Sequence, residues 1–250
     1  MPTTPLRLLM LCAYPSGAAA TRFRIHGYLD VLRAAGIEPE VHPFVSEEYF
    51  AEMYRPQGVA RKAVKLAGFL LRELPYVVRA RRYDAVFIQR EIALVGPPIL
   101  ERILVQLRGL PLIYDLDDAV WLEPTPAPGT LRARFPGIVG AIRAAAKGDT
   151  LLSMATAVVA GSRYLAAHAR RFCSKVVVLP TVVSREQWRP RAGRLQGEIL
   201  QNPPLVGWIG THSTSVYLAM VMPALERLAR EGVRFRLRLR GASSTIRSDL

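Results

Sequence analysis

The chain has 250 residues, of which 50% are hydrophobic and 22% are charged, and its formal net charge at pH 7 is +14. This composition is that of a globular protein and excludes an intrinsically disordered chain. The charge alone would fit a nucleic-acid-binding protein, but the basic residues are spread over most of the sequence. No helix-turn-helix, aromatic RNA-binding motif or set of zinc ligands accompanies them. We therefore expect no specific nucleic-acid partner.

No apolar run approaches the roughly 20 residues that a membrane-spanning helix needs, and the N-terminus lacks the pattern of a cleaved signal peptide. We expect a cytoplasmic protein. Cys12 and Cys173 each lie in an apolar context and are expected to be buried thiols rather than a disulfide. The histidines share no metal-ligand spacing with one another or with the cysteines, so we expect neither a metal site nor a cofactor.

The first elements along the chain are predicted to be a strand, a helix and a second strand. Residues 6–14 form an apolar run with one arginine, which is typical of a strand buried on both faces. A loop containing Gly17 follows, and apolar spacing predicts a helix of about four turns over residues 21–35. Residues 38–44 then alternate like a second strand. Such a unit implies parallel pairing of the two strands.

The alternation of strands and helices continues beyond this first unit. Further strands are predicted at residues 85–89, 112–116, 155–160 and 175–179, with helices at residues 97–108 and 163–172. Ser162 is expected to cap the second of these helices. Apolar strands separated by amphipathic helices describe a doubly wound, Rossmann-like α/β domain covering residues 1–182.

A second domain is predicted to begin near the end of the sequence. Residues 183–204 have the polar composition, broken by proline and glycine, of a linker. A strand at residues 205–210, a helix at 214–231 and a strand at 233–239 then start another Rossmann-like domain within residues 205–250. Since a complete doubly wound domain takes on the order of 100–150 residues, we expect this domain to be incomplete. The chain would then be either a fragment or the product of a naturally truncated gene.

Loops at the carboxyl ends of the predicted strands are the expected place for a ligand, because open α/β sheets bind ligands there. Gly17 lies where the first strand turns into a helix, where free amides can face an anion; a plain tight turn is the alternative. The loop lacks the G-x-G-x-x-G spacing of a nicotinamide dinucleotide site. Arg22 and Arg24, in the first turn of the predicted helix, oppose its dipole, which favours an anionic partner, although arginine on a solvated face is common.

Two further loops carry polar groups. Asp115, Asp117 and Asp118 come at the end of a buried strand and could hold a divalent cation or share a proton. Capping of the next segment or pairing with a nearby arginine is the alternative. Gly210 permits close backbone approach, and Thr211 and Thr214 offer hydroxyl groups at a predicted helix N-terminus. These are the parts of a diphosphate cradle, with an ordinary N-cap as the alternative.

Residues 55–82 form a basic segment, with eight arginine and lysine side chains against one acid, Glu73. An apolar stripe at helical spacing runs through it, consisting of Ala63, Leu66, Ala67, Leu70 and Leu74. Pro75 is expected to end or kink this helix. One interpretation is an interfacial helix that seats the domain on an anionic membrane surface. The other is a helix packed on the sheet with a solvated basic face.

Four stretches, in their order and spacing, resemble a known family. They are T-R-F-R-I at residues 21–25; Y-D-A-V-F-I-Q-R-E at 83–91 with D-L-D-D-A-V-W at 115–121; V-V-A-G-S-R-Y-L at 158–165 with V-V-V-L-P-T-V at 176–182; and L-V-G-W-I-G-T-H-S-T-S-V-Y-L at 205–218. Together they resemble GT-B glycosyltransferases of the family 4 type. The resemblance covers the whole chain and implies two Rossmann-like domains that face each other across a cleft.

The resemblance also implies an activity and roles for individual residues. A sugar would pass, with retention and without a metal, from a nucleotide-sugar held mainly by the C-terminal domain to an acceptor held mainly by the N-terminal one. The donor-binding candidates are Gly17, Gly210, Thr211 and Thr214. The catalytic candidates are Asp117 and Asp118, and the acceptor-binding candidates are Arg22, Arg24 and Arg90.

The leading hypothesis is therefore a glycosyltransferase acting on an envelope or polysaccharide acceptor, either a glycan or a lipid-linked sugar, at the inner face of the membrane. The family's later donor-binding elements would lie beyond Leu250, so we expect weak turnover or none from this chain. A non-catalytic remnant or interaction module is the alternative hypothesis.

Overall fold

The computed structural model describes residues 5–52, 59–93, 96–122, 147–183, 203–210 and 214–240. The chain divides into two compact units, residues 1–187 and residues 188–250. No helix in the described ranges is long and apolar enough to cross a membrane.

The first unit is built on a six-stranded parallel sheet. Its strands are β1 (Leu6–Cys12), β2 (Ile37–Pro43), β3 (Ala85–Gln89), β4 (Leu112–Leu116), β5 (Ala157–Ala160) and β6 (Val176–Val178). Their order across the sheet is β2-β1-β3-β4-β5-β6, and every neighbouring pair is parallel. The direction of winding reverses between β1 and β3, which makes their carboxyl ends the topological switch point of the sheet.

Helices pack on both faces of this sheet, because its central strands are apolar on both. They are α1 (Ala19–Arg24), α2 (Leu29–Ala34), α3 (Glu47–Glu52), α4 (Val59–Val78), α5 (Ile99–Arg102), α6 (Lys147–Met154) and α7 (Arg163–Ala169). Successive residues of β1 enter different clusters: Leu9 and Leu11 belong to the larger core, and Leu8 and Met10 to the smaller one with Ile25. The predicted doubly wound α/β fold is confirmed.

The helix predicted over residues 21–35 is instead three short elements: α1, a 3₁₀ turn at His26–Tyr28, and α2. Ile25 ends α1 and is completely buried in the smaller core. Gly27, two residues later, has poor helix propensity, so the break has little to oppose it. As a result Arg22 and Arg24 lie in the last turn of α1, not in the first. There the helix dipole favours cations, which corrects the prediction that these side chains oppose it.

Other helices also depart from their predicted bounds. The helix predicted over residues 97–108 starts at Ile99 and continues after Arg102 as a π-helical stretch, Ile103–Leu107. Helix α4 passes through Pro75 and ends at Val78, three residues later. The predicted cap of α7 is confirmed, since the Ser162 hydroxyl accepts a hydrogen bond from the Leu165 amide at 3.2 Å.

The second unit contains a separate two-stranded parallel sheet of β7 (Leu205–Ile209) and β8 (Arg236–Arg240). Its strands therefore do not extend the six-stranded sheet. The helix predicted from Thr214 begins as a 3₁₀ helix, Ser215–Met220, and becomes α-helical only in α8 (Met222–Arg230). Pro223, in the first turn of α8, suits a helix start because its missing N–H would have had no partner there.

Replacing the cap residue of α7 tests this local structure. We expect Ser162→Ala to lower the free energy of unfolding by about 1 kcal/mol, because the Leu165 amide loses its acceptor. Ser153→Ala is the matched control, since the Ser153 hydroxyl only donates to the Asp149 carbonyl oxygen within α6. Urea unfolding followed by circular dichroism measures both. Equal losses in the two variants would contradict the capping role.

Candidate functional site

The loops after β1, β3 and β4 meet at the switch point of the six-stranded sheet. Gln89, the last residue of β3, is in register with Cys12 at the end of β1 and with Asp115 near the end of β4. The Arg90 amide donates to the Asp115 carbonyl oxygen at 3.1 Å, which continues the pairing past the end of β3. The loops that carry Gly17, Arg90 and Asp117 therefore lie at one edge of one sheet.

A buried ion pair joins helix α1 to strand β4 at this edge. Arg24 is 5% exposed and Asp115 is 1% exposed. Arg24 Nε lies 2.7 Å from one carboxylate oxygen of Asp115, and a second guanidinium nitrogen contacts the other oxygen. Arg24 Nη1 also donates to the Leu179 carbonyl oxygen at 2.9 Å and lies 3.2 Å from the Thr181 hydroxyl. A single guanidinium thus joins helix α1 to strand β4 and to the loop that follows β6.

Burial raises the pKa of two carboxyl groups at this edge, those of Asp115 and Asp117. Burial raises the pKa of Asp115 to about 6, and the Arg24 guanidinium opposes this rise, so the pair is ionised at neutral pH. Burial likewise raises the pKa of Asp117, against the attraction of Arg90 and Arg24. One oxygen of Asp117, Oδ1, is buried without a hydrogen-bond partner among the described residues. Asp117 is therefore a carboxylate with a free acceptor and a raised pKa.

Arg90 has a strained backbone at the end of β3. Its φ of 61° lies in the left-handed region, which residues with a side chain rarely adopt. Two contacts hold it there: its amide bonds to Asp115, and its carbonyl oxygen accepts from the Tyr114 hydroxyl at 2.8 Å. The side chain approaches Asp118, with Nη2 4.0 Å from Oδ2. Strain of this kind persists only where surrounding contacts enforce it, and it is concentrated at functional sites.

Gln89 and Thr21 belong to the same edge, although neither was assigned a role from the sequence. Gln89 is 3% exposed, and its Nε2 has no hydrogen-bond partner among the described residues. The Thr21 hydroxyl lies 2.9 Å from the Tyr14 carbonyl oxygen and 3.3 Å from Gln89 Oε1. The sequence did carry a signal for Gln89: it is a polar amide at the last position of an otherwise apolar strand, and core packing does not require a polar residue there.

The loop at Gly17 faces a carboxylate of the protein itself. The Gly17 amide donates to Glu47 Oε1 at 3.3 Å, and the Ser16 hydroxyl donates to the same oxygen at 2.8 Å. A Cβ on Gly17 would lie 2.9 Å from Glu47 Oε2, so the position requires glycine unless Glu47 moves. Arg22 is exposed beside this loop, 3.4 Å from the carbonyl oxygens of Ser16 and Gly17. The anion that Gly17 was predicted to face is, in this structure, Glu47.

Two buried contacts fix the segments on either side of the carboxylates. Trp121, three residues after Asp118, stacks on His168 with ring centroids 3.7 Å apart and an interplanar angle of 7°. His168 Nε2 in turn lies 2.8 Å from Asp149 Oδ1. On the β3 side, the buried Lys147 ammonium lies 3.2 Å from Glu101 Oε1 and donates to the Ala93 carbonyl oxygen. Both loops of the site are therefore anchored to helices behind them.

In the second unit, Gly210 and Thr214 lie close together after β7. The Gly210 amide donates to the Arg240 carbonyl oxygen at 3.1 Å. A Cβ at position 210 would overlap the Trp208 ring and lie 2.7 Å from Thr214 Oγ1, so only glycine fits. Thr214 precedes a 3₁₀ helix rather than the α-helix expected for a diphosphate cradle. Thr211, the remaining donor-binding candidate, lies outside the described residues.

Within the described ranges, no three histidine, cysteine, aspartate or glutamate side chains are grouped as metal ligands. Asp115 is paired with Arg24, and Asp118 is near Arg90 and accepts from the Ala119 amide at 2.9 Å. Pairing with arginine and local capping, the alternatives to cation binding, are thus what the structure shows for these two aspartates.

Comparison with known proteins identifies the fold but no family. No protein-family model and no curated protein matches the chain. Among solved structures, MnaA from S. aureus in complex with UDP is 12% identical with a TM-score of 0.51, over 94% of this chain and 61% of that one. UDP-N-acetylglucosamine 2-epimerase from Rickettsia bellii is 10% identical (TM-score 0.47, 94% and 62% covered). Os79 from O. sativa, in complex with UDP and deoxynivalenol-3-glucoside, is 13% identical (TM-score 0.44, 95% and 72% covered).

The likeness to MnaA, together with the six-stranded parallel sheet, places the chain in the class of GT-B-like α/β folds. The chain spans about three fifths of the length of the first two of these structures. The expected fold class is confirmed: a Rossmann-like parallel sheet followed by a second, smaller α/β unit.

The buried ion pair supports a test of stability. We expect Arg24→Met to lower the free energy of unfolding by about 3–5 kcal/mol at neutral pH, because a buried carboxylate is left unpaired. Arg33→Met is the matched control; Arg33 pairs with Asp30 at 3.0 Å on the surface, and such pairs contribute about 0–1 kcal/mol.

The pH dependence of this loss has a defined sign. The folded-state pKa of Asp115 is raised to about 6 from the ordinary 3.8, and removing Arg24 raises it further. Native Asp115 therefore holds its proton to higher pH in the variant, and the neutral acid tolerates burial without a partner. The free energy of unfolding lost in Arg24→Met should therefore be larger at pH about 7.5 than at pH about 5. Denaturant unfolding at both values measures it, and a loss that does not change with pH would exclude ionised Asp115 as its cause.

Proposed function

We propose that this protein is a glycosyltransferase of the GT-B type, resembling family 4, which transfers a sugar from a nucleotide-sugar donor to a glycan or lipid-linked acceptor. The observation that carries the proposal is Asp117, whose raised pKa and unpartnered, buried Oδ1 lie beside two arginines at the switch point of a GT-B-like sheet. Support for a nucleotide-sugar donor comes from the fold, which is shared with the UDP complex of MnaA.

Asp117 is the proposed catalytic residue. A carboxylate whose pKa lies above its usual range is a better proton acceptor near neutral pH. Its free oxygen accepts the hydrogen bond of the attacking acceptor hydroxyl and takes that proton as the hydroxyl oxygen bonds to the anomeric carbon of the sugar. The bond from that carbon to the donor diphosphate breaks, and the nucleoside diphosphate leaves. Arg90 keeps the carboxylate ionised enough to act as a base. Asp118, 4.0 Å from Arg90 and more exposed, helps to hold this arginine in place.

The three acceptor-binding candidates take different parts in this proposal. Arg22 is exposed and Arg90 is partly exposed, so both can contact an anionic or polar acceptor. Arg24 is buried and fully engaged within the protein. We assign it a positioning role, in which it holds Asp115 and so the start of the segment that carries Asp117.

Gly17, Gly210, Thr211 and Thr214 are the proposed contacts of the donor diphosphate. The Gly17 amide and the Ser16 hydroxyl already bind an anionic group, the Glu47 carboxylate. An incoming phosphate of the same charge would displace it and use the same two donors. In the second unit, Gly210 and Thr214 lie side by side, since a Cβ at position 210 would come within 2.7 Å of Thr214 Oγ1, and we propose that the diphosphate binds at this pair.

Replacing Asp117 tests the catalytic proposal. Release of UDP from UDP-sugars is measured with and without glycan acceptors. We expect Asp117→Asn, which keeps the shape and removes the base, to lower the acceptor-dependent rate by about 10²- to 10⁴-fold. Asp30→Asn is the matched control, because the Asp30 side chain is almost fully exposed on α2.

UDP binding, followed by tryptophan fluorescence, provides a readout that does not depend on turnover. Asp117→Asn should bind UDP as the unmodified chain does, whereas Thr214→Val should bind it more weakly. An acceptor-dependent rate that Asp117→Asn leaves unchanged would remove Asp117 from the mechanism. UDP binding that Thr214→Val leaves unchanged would remove Thr214 from the donor site.

A further inference from the structure

Helix α4 has two apolar faces, and only one of them is covered by the core. On the inner face, Leu66, Phe69 and Tyr76 pack against the larger core cluster and Val77 belongs to it. Buried Glu73 fixes this face to the sheet through His42, with Oε1 3.1 Å from Nε2. The position of α4 on the first unit is thus determined without its outer residues.

The outer face carries a second stripe of large apolar side chains. Val64, Leu71, Leu74 and Val78 are 72%, 66%, 48% and 68% exposed. Their spacing of seven, three and four residues, with Ala67 filling the gap, places them on one side of the helix. The sequence predicted one apolar stripe of Ala63, Leu66, Ala67, Leu70 and Leu74. This prediction is wrong, because Leu66 lies on the inner face and Leu74 on the outer one. The side chain of Ala63 lies outside the described residues. Single exposed apolar residues are normal, whereas a continuous row of them marks an interaction surface.

Exposed arginines border this outer stripe. They are Arg61 and Arg79, with Arg81 and Arg82 in the 3₁₀ turn that follows. Two other cations of α4 are engaged elsewhere: Arg72 donates to the Pro43 and Phe44 carbonyl oxygens at 2.7 Å, and Lys65 lies 3.6 Å from Glu52. The only acid between residues 59 and 82 is the buried Glu73. The outer face is therefore apolar along its centre and positively charged at its border.

We infer that the outer face of α4 binds the surface of an anionic lipid bilayer. The helix would lie in the plane of the interface, with its apolar stripe at the boundary between headgroups and acyl chains and its arginines on lipid phosphates. From residue 64 to residue 78 the stripe is about 21 Å long at 1.5 Å per residue. Binding of this kind needs no membrane-spanning helix.

Charge decides between a bilayer and a second copy of the chain as the partner. Two copies meeting through this face would bring their arginine borders together with no exposed acid on the helix to offset them. An anionic lipid surface offers the opposite charge and an apolar layer beneath it. The inference depends on the proposed function only for what the bilayer presents to the enzyme, namely a lipid-linked acceptor.

Co-sedimentation with vesicles tests the inference. The purified 250-residue chain is mixed with vesicles of equimolar phosphatidylglycerol and phosphatidylcholine, or of phosphatidylcholine alone, at about 0.1 M salt. We expect binding to the anionic vesicles only, weakening as salt is raised. Arg79→Gln with Arg82→Gln should weaken it by roughly 25-fold, at about fivefold for each arginine. Leu71→Gln with Leu74→Gln should abolish vesicle binding, both at about 0.1 M salt and at higher salt.

Each double variant has a matched control on another surface of the first unit. Arg163→Gln with Arg170→Gln removes the same charge from two exposed positions in and just after α7. Val31→Gln with Leu107→Gln changes two exposed apolar residues, 64% and 76% exposed. Both controls should bind anionic vesicles as the unmodified chain does, and circular dichroism checks that every variant is folded.

Three results would overturn the inference. The first is an unmodified chain that does not sediment with anionic vesicles. The second is that the α4 variants sediment as strongly as their controls. The third is a dimer, seen by light scattering, that Leu71→Gln with Leu74→Gln dissociates, which would make a second copy the partner. Since no step of the assay reads sugar transfer, failure here leaves the proposed function standing, and loss of that function leaves the lipid result unaffected.

Discussion

The candidate site depends on the buried pair of Arg24 and Asp115. Removing two charges from water is costly, and their attraction repays this only when geometry and additional hydrogen bonds are good. Here the guanidinium contacts both carboxylate oxygens and uses its remaining nitrogen on Leu179 and Thr181. Such a pair adds little net stability when formed. It does make any other arrangement of α1, β4 and the loop after β6 unfavourable, since one charge would then be buried alone. Its main effect is therefore to fix geometry, which is what the role proposed for Asp117, two residues away, requires.

Departures from the usual rules of packing are concentrated around this pair. Arg90 adopts a left-handed backbone conformation, and within the described part of the chain a buried oxygen of Asp117 and the Gln89 Nε2 have no hydrogen-bond partner. A sequence that served only stability would have removed each of them, with glycine at position 90 and apolar residues at the other two. Natural proteins tolerate such features at functional sites and offset them by contacts nearby. Their coincidence at the switch point of a parallel sheet is a stronger indication of a ligand site than any single residue would be.

The sequence was sufficient for the strands but not for the site. Strands buried on both faces give continuous apolar runs, so the bounds of β3 and β4 could be predicted to the residue. The break in the first helix could not, because it arises from the burial of Ile25 in a core that forms only in three dimensions. The contact of Arg24 with Asp115 joins residues 91 positions apart, and no local pattern carries that information. For α4, apolar spacing indicated an amphipathic helix, but a helix with two apolar faces gives no sign of which one is inside.

The high net charge is better understood from where the arginines lie than from their number. A strongly basic chain suggests nucleic acid, since phosphate contacts dominate that kind of binding. In this chain, however, Arg24 neutralises a buried carboxylate, Arg72 donates to backbone carbonyl oxygens, and Arg90 faces the aspartates of the candidate site. Each of these three cations therefore has a partner within the molecule. The exposed arginines at the end of α4 differ because they border an apolar stripe, and a polyanion such as DNA offers nothing to that stripe. Charge and apolar surface must be satisfied together, and a membrane interface satisfies both.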